Sequence, residues 1–290
     1  LENSIDFSIL FICAQIIGFI IVPINSNTPL EELEILSKDL KIKKVISKKE
    51  FLKNKQFNLK TIYLNNIKKK LTKKMLIVDE IKKNYILSFS SGSTGKPKKI
   101  ILSNKTKYLR AYQAIEMYNI RKTDNLLIST PFQYTLAQRI LHMSLIRGCT
   151  LFIMNNVTPK LLSQNIKKNN ITFFMTISMH LRKLIESKLL EKKYFFKSLK
   201  SVVSSSDSLS EKNKRYLLNN LNCDLHEIFG LAELGTISNL HLNKNKNKLK
   251  SVGKICQDTR IKIVEDLKNK KIGLIFCKSP RKYDAFFNDK

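Results

Sequence analysis

The stretch Ile86-Leu-Ser-Phe-Ser-Ser-Gly-Ser-Thr-Gly-Lys-Pro-Lys-Lys-Ile100 concentrates groups that bind anions. It opens as an apolar run, Tyr85–Phe89, long enough for a buried strand. Ser90, Ser91, Gly92, Ser93, Thr94 and Gly95 follow, where every side chain is hydroxylated or absent. Gly92 and Gly95 let the backbone take positive φ and come close to a ligand. Successive N–H groups in such a turn form an anion nest, and the hydroxyls add further donors. Lys96, Lys98 and Lys99 bring positive charge, and Pro97 stiffens the exit. These are the parts of a phosphate cradle. The Walker-type loop G-x-x-x-x-G-K-[ST] does not fit. Gly92 and Gly95 are three apart, and Pro97 stands where Ser or Thr is required. The bland alternative is a polar surface loop in a Ser- and Lys-rich chain.

Ser90–Lys98 resembles, position for position, the signature loop of the AMP-forming adenylating enzymes, Thr/Ser-Ser-Gly-Ser/Thr-Thr-Gly-x-Pro-Lys-Gly. That superfamily comprises acyl-CoA synthetases, peptide-synthetase adenylation domains and luciferases. Lys99 departs from its usual glycine. A second stretch, Asp224-Leu-His-Glu-Ile-Phe-Gly-Leu-Ala-Glu-Leu-Gly-Thr236, is similar to the family's Tyr-Gly-x-Thr-Glu motif. Phe229 replaces Tyr, Gly230 is kept, Ala232 replaces Thr and Glu233 is kept. By resemblance the aromatic ring packs on adenine, the residue at 232 contacts the α-phosphate, and Glu233, with Thr94, holds Mg²⁺. Taken alone, Glu233 reads as a surface carboxylate.

The resemblance extends along nearly the whole chain, from about Ile5 to Asn288. Gly18…Val22-Pro23-Ile24-Asn25 is similar to the family's early strand end, and Ser251-Val-Gly253-Lys-Ile to its Ser-Val-Gly step. Tyr283-Asp-Ala-Phe-Phe-Asn288 looks like its Gly-Tyr-Tyr-Asn segment. Pro131-Phe132-Gln133-Tyr134 stands where the family has Pro-x-Phe-His, so Phe132, Gln133 and Tyr134 are expected to line the acyl pocket. Peptide synthetases place an Asp nearby to hold a substrate ammonium. None lies between Pro131 and Gly148, which favours an uncharged carboxylate tail over an α-amino acid. Ser205, Ser206 and Asp207 occupy the family's Ser-Gly-Gly segment, with serines for both glycines and two added side chains near acyl group and adenine.

The expected fold is α/β, stacked sheets flanked by helices, the large N-terminal part of an adenylating enzyme without its small C-terminal domain. Residues 1–80 would form a first α/β portion, 81–245 the nucleotide- and acyl-binding core, and 246–290 the start of a β-rich part. The elements must position the two motifs. Local pattern predicts a helix over 4–17 and a buried strand Phe19–Ile24. Thr28-Pro-Leu-Glu31 reads as a capping box, with short strands at Val45–Ile46 and Thr61–Leu64 and a charged connector Lys68–Lys74. Past the loop come a helix from Ser103, a strand Asn125–Ser129, a helix to Leu145 and a strand Thr150–Met154. The alternation continues through Pro159–Asn170, Ile171–Thr176 and His180–Leu190, which points to parallel sheet. Thr259–Val264 and Ile272–Phe276 read as later strands.

Composition narrows the class. The chain has 290 residues, 43% hydrophobic, and a formal charge of +30 from 53 basic and 23 acidic residues. Mean hydropathy is −0.19, that of a soluble globular protein. Such charge suggests nucleic acid, but the bases are mostly lysine, dispersed, with few of the arginines that read guanine. A solvated lysine surface explains the charge more cheaply. The five cysteines and four histidines show no CxxC or zinc spacing, which fits a reducing cytoplasm. Phe7–Ile24 is apolar but broken by Gln15, Gly18 and Pro23, so neither a signal peptide nor a stable membrane span is expected. The chain starts at Leu1 and reads as a fragment at both ends.

The implied chemistry is ATP- and Mg²⁺-dependent activation of a carboxylate to an acyl-adenylate, then transfer to CoA or a carrier-protein thiol. Lys98 and Glu233 are the expected catalytic pair. The alternative is a non-catalytic nucleotide- or acyl-binding relative, for which Lys99, Ser205, Ser206 and Ala232 argue.

Overall fold

The computed structural model describes residues 1–47, 60–64, 84–90, 98–265 and 273–287. Ser91–Pro97 and the connector Lys68–Lys74 lie outside the described residues.

The chain opens with helix α1 (Ile5–Ile17) and helix α2 (Leu30–Asp39), then strands β1 (Lys44–Ser47), β2 (Lys60–Tyr63), β3 (Asn84–Ser90) and β4 (Lys98–Ser103). Ser4 caps α1 by accepting from the Phe7 N–H, and Gly18 closes it at φ +82°. Two expectations are corrected here. Among the described residues Phe19–Ile24 makes a single bridge, Ile21 to Ile86, and Phe19 and Ile20 are exposed, so it is an extended segment rather than a buried strand. The Thr28 capping box is not formed. Pro29 occupies the cap of α2 without a side-chain bond, since the proline ring carries no oxygen to accept from the first-turn N–H groups.

A doubly wound core follows. It comprises α3 (Asn104–Met117), β5 (Asn125–Ile128), α4 (Thr135–Arg147), β6 (Thr150–Ile153), α5 (Pro159–Lys168), β7 (Phe173–Ile177), α6 (Ser178–Glu186), β8 (Ser201–Ser205), α7 (Glu211–Asn220), β9 (Asp224–Leu231) and β10 (Gly235–His241). After β11 (Lys254–Ile255), β12 (Arg260–Glu265) pairs with β13 (Gly273–Lys278), and β14 (Ala285–Phe286) returns to β4. The large sheet has the order β11-β10-β9-β8-β7-β5-β6, parallel from β6 to β9 and antiparallel beyond. Side-chain alternation splits its residues between two cores. Leu126, Ile128, Phe173 and Met175 meet α1, α3 and α4 on one face, while Leu127, Phe174 and Val202 meet α5, α6 and α7 on the other. Burial on both faces is why these strands are continuously apolar. Among the described residues no helix is long and apolar enough to cross a membrane.

Two sites in this frame carry measurable strain or charge. Ser206, just past β8, holds φ +78°, a left-handed conformation in which a Cβ is disfavoured. Ser206→Gly should therefore stabilise the chain by about 0.5–1 kcal/mol, the relief of strain outweighing the added unfolded-state entropy. Chemical denaturation reads this directly. His142, buried in α4, is pushed down from 6.5 to about 4, first by burial and then by Lys107, against the pull of its bond to the Gln138 carbonyl. Its folded value lies below its unfolded one, so its contribution is complete above about 6.5 and is lost as pH falls toward about 4. Stability should fall by on the order of 3 kcal/mol across that window through this group, and His142→Gln should shrink the loss.

Candidate functional site

Strand order in the large sheet reverses between β5 and β7, and ligands of doubly wound sheets bind outside the carboxyl ends at such a point. There the Ser129 and Thr176 hydroxyls bond at 3.2 Å, and the buried Thr130 Oγ1 has no partner among the described residues. The same edge carries the second motif. It is a β-hairpin, in which Ala232, Glu233 and Leu234 form the turn between β9 and β10 and Gly235 takes φ +75°. Gly230 is required by close approach, because a Cβ there would lie 2.2 Å from the Gly235 carbonyl oxygen.

Arg110 of α3 fixes this turn. Its guanidinium donates to the carbonyls of Ala232 and Glu233, each at 2.9 Å, and to that of Arg281 at 2.8 Å. Burial, then Arg139, pulls its pKa down to about 9, while Asp284 and Glu233 oppose the shift. It stays charged at neutral pH. The Glu233 carbonyl also accepts from the Tyr283 N–H at 2.5 Å. Asp284, next in sequence, accepts from the Ser103 N–H at 2.7 Å and the Thr106 hydroxyl at 2.8 Å, locking this segment onto the start of α3.

The segment then reaches the first motif. Phe286 pairs with Ile100 of β4, its ring lies 4.3 Å from that of Tyr283, and Lys98 Nζ sits 5.7 Å above it. Tyr283–Phe286 thus joins the Glu233 turn to Lys98. Lys98 faces Ser90 across the β3–β4 pair at the mouth of the signature loop. Ser90 Oγ is buried and has no partner among the described residues. The remaining expected loop residues, Ser91, Gly92, Ser93, Thr94 and Gly95, lie outside the described residues. Lys99 points away from its neighbour's site and pairs with Asp39.

The expected pocket residues divide. Phe132 is fully buried against Phe7 and Phe11 at ring distances of 5.1 and 5.6 Å, so its ring is core. Gln133 is half-buried, and Tyr134, at the start of α4, is 57% exposed. Ser205 ends β8 with its carbonyl accepting from Ser178 Oγ at 3.1 Å. Asp207 is exposed and paired with Arg182, whose guanidinium holds its carboxyl below the usual range. Phe229 is half-buried on β9 beside Gly230.

Sequence reasoning missed a set of buried cations. Lys107 and Arg110 are each 2% exposed and Arg139 7%. Lys107 donates to Gln138 Oε1, and Gln138 donates to the Phe132 carbonyl at 2.8 Å. Arg139 donates to Thr236 Oγ1 at 2.6 Å, next to the hairpin glycine, and its Nε is buried without a partner among the described residues. Burial, then Arg110 and Arg139, drives the Lys107 pKa well down. The signal was present in the sequence as basic residues at helical spacing, Lys107 with Arg110 on α3, but dispersed lysine elsewhere masked it.

A family model described as AMP-binding enzyme matches residues 1–281. Gramicidin S synthase 2 of Brevibacillus brevis is 22% identical over 274 residues, which is 91% of this chain and 6% of the synthase. An uncharacterised acyl-CoA ligase of Bacillus subtilis, YhfT, is 24% identical over 99% of this chain and 61% of its own length. Among solved structures, the o-succinylbenzoate CoA synthetase MenE of Bacillus subtilis, in complex with ATP and magnesium ion, superimposes with a TM-score of 0.81 at 19% identity. That superposition covers 99% of this chain and 61% of the synthetase. The chain therefore spans under two thirds of these relatives, and at such identity the structural likeness establishes the fold. With the signature-loop strands, the Glu233 hairpin and the family match in agreement, the chain belongs to the AMP-binding enzyme family.

Proposed function

We propose that this chain carries the ATP- and acid-binding part of an enzyme that converts a carboxylic acid to its acyl-adenylate and passes the acyl group to a thiol, CoA before a carrier protein. The observation that carries the reading is the convergence of Lys98 and the Glu233 turn on one segment, Tyr283–Phe286.

In this reaction a carboxylate oxygen attacks the α-phosphorus of ATP. An O–P bond forms, the α–β P–O bond breaks, and pyrophosphate leaves with the electron pair. A thiolate then attacks the acyl carbon, forming C–S and releasing AMP. The acid is already ionised at neutral pH, so the first step needs no general base. It needs positive potential where charge builds on the phosphates, and an in-line approach. Lys98 and the loop donors from Ser90 to Gly95 supply the potential, and Arg110 holds the hairpin so that Glu233 is presented in one geometry. Phe229 offers its face to adenine.

The donor set suits magnesium, which takes oxygen ligands. Glu233 and Thr94 would hold it, and when bound it would screen the charge on the phosphates. Ser90 Oγ, buried at the loop's edge with no partner among the described residues, is the kind of donor that a phosphate oxygen satisfies.

The substrate lacks an ammonium group. An α-amino acid bound beside α4 would meet Lys107 and Arg139, with no carboxylate between Pro131 and Gly148 to receive it. A second reading, ligand binding without turnover, rests on Ala232, whose methyl cannot make the α-phosphate contact. A lost charge-assisted bond is worth about 1.5–3 kcal/mol, or roughly ten- to a hundredfold in rate.

The test is carboxylate-dependent ATP–pyrophosphate exchange on the longest chain its gene encodes, with separate pools of fatty, aryl and amino acids. Exchange with a fatty or aryl pool and none with amino acids is expected. Exchange confined to amino acids would overturn the substrate assignment. MgATP binding without exchange in any pool would leave the non-catalytic reading.

A further inference from the structure

At the far end of the same hairpin, β9 and β10 bring Asp224, His226 and His241 together. Alternation in β9 puts Asp224 and His226 on one face, and the antiparallel register sets His241 directly across from His226. One ligand atom from each residue lies within 4.8 Å of the other two. His241 Nε2 is 3.1 Å from Asp224 Oδ1, and the two imidazoles stack with centroids 4.4 Å apart. The edge of Tyr118, at 5.0 Å from His226, walls the core side, whereas Asp224 faces solvent. A cavity of about 380 Å³, lined by His241, Asn239, Lys244 and Cys256 among others, adjoins the cluster and leaves room for a further ligand or water.

Asn239, two residues before His241 on the same face of β10, supplies an independent observation. Its Nδ2 lies 3.1 Å from His226 Nδ1, while its Oδ1 is buried with no partner among the described residues. A half-turn of the amide brings that oxygen to Nδ1, where it accepts the ring N–H and leaves the lone pair on Nε2. Metal-binding histidines are held in this manner by an outer acceptor that fixes their tautomer. Lys244 is the nearby cation that opposes a bound ion.

We propose that Asp224, His226 and His241 form a site for one borderline divalent cation, zinc being the best match. Two imidazoles and a carboxylate with an open position suit zinc, cobalt or nickel, whereas magnesium and calcium prefer all-oxygen sites. The ion ties the start of β9 to the end of β10, the open end of the hairpin whose turn carries Glu233. It is a structural clasp, separate from the nucleotide site and independent of the activity proposed above.

The test titrates zinc, and cobalt as a spectroscopic reporter, into the metal-stripped full chain. Saturable one-to-one binding is expected, with cobalt absorption typical of nitrogen ligation and a rise in melting temperature. Asp224→Asn, at an exposed position, and His241→Gln, at a half-buried one, should each weaken zinc by about tenfold or more, and Asn239→Leu by about tenfold. Cys256→Ala should retain binding. Unchanged affinity in Asp224→Asn and His241→Gln, loss of binding in Cys256→Ala instead, or no saturable binding by the unaltered chain would each overturn the site.

Discussion

The candidate site depends on one buried guanidinium. Arg110 leaves water to satisfy three backbone carbonyls, those of Ala232, Glu233 and Arg281, which come from two distant parts of the chain. Charge-assisted bonds to carbonyls are among the stronger polar contacts in a protein interior, but a buried charge must keep all of them to offset its desolvation. The arrangement is therefore close to all-or-none. It sets the hairpin turn, where Gly235 takes φ +75°, a conformation that L side chains rarely adopt, and where a Cβ would also crowd Arg110 Nε at 3.2 Å. Glu233 is thereby fixed through its backbone, leaving its carboxylate available.

Around this clamp the interior is electropositive. Burial lowers the proton affinity of Lys107, Arg110 and Arg139; Arg110 and Arg139 add to the shift at Lys107, and Arg139 and Arg281 to that at Arg110. Such a field favours a carboxylate substrate and the polyphosphate of ATP over any cationic ligand. Within the formal charge of +30, Lys107, Arg110 and Arg139 stand apart as a small buried set.

The elements with local physical signatures were legible in the sequence. The α1 helix was bounded by Ser4 and Gly18, and the alternating α and β units of the core followed from their apolar runs. The two motifs were also legible, and the structure joins Lys98 to the Glu233 turn through Tyr283 and Phe286. What escaped was set by tertiary contact. Phe19–Ile24 carries strand-forming residues but finds one bridge among the described residues, because its pairing depends on where β3 lies. The hairpin nature of 224–241 hid within a motif read for its side chains. Arg110 and Arg139 could not be told from the many other bases of the chain, since the helical spacing of Lys107 and Arg110 is shared by many solvated lysines. The serines at 205 and 206 were visible as departures, and their physical cost is backbone strain at Ser206.

The central claim, that Lys98 and Glu233 bracket MgATP, is tested most directly by calorimetric titration of MgATP into the chain and its Lys98→Ala and Glu233→Ala variants, each checked for retained fold. Both variants should bind more weakly, by about tenfold or more for the loss of a charge-assisted contact. Unaltered affinity in both would contradict the site.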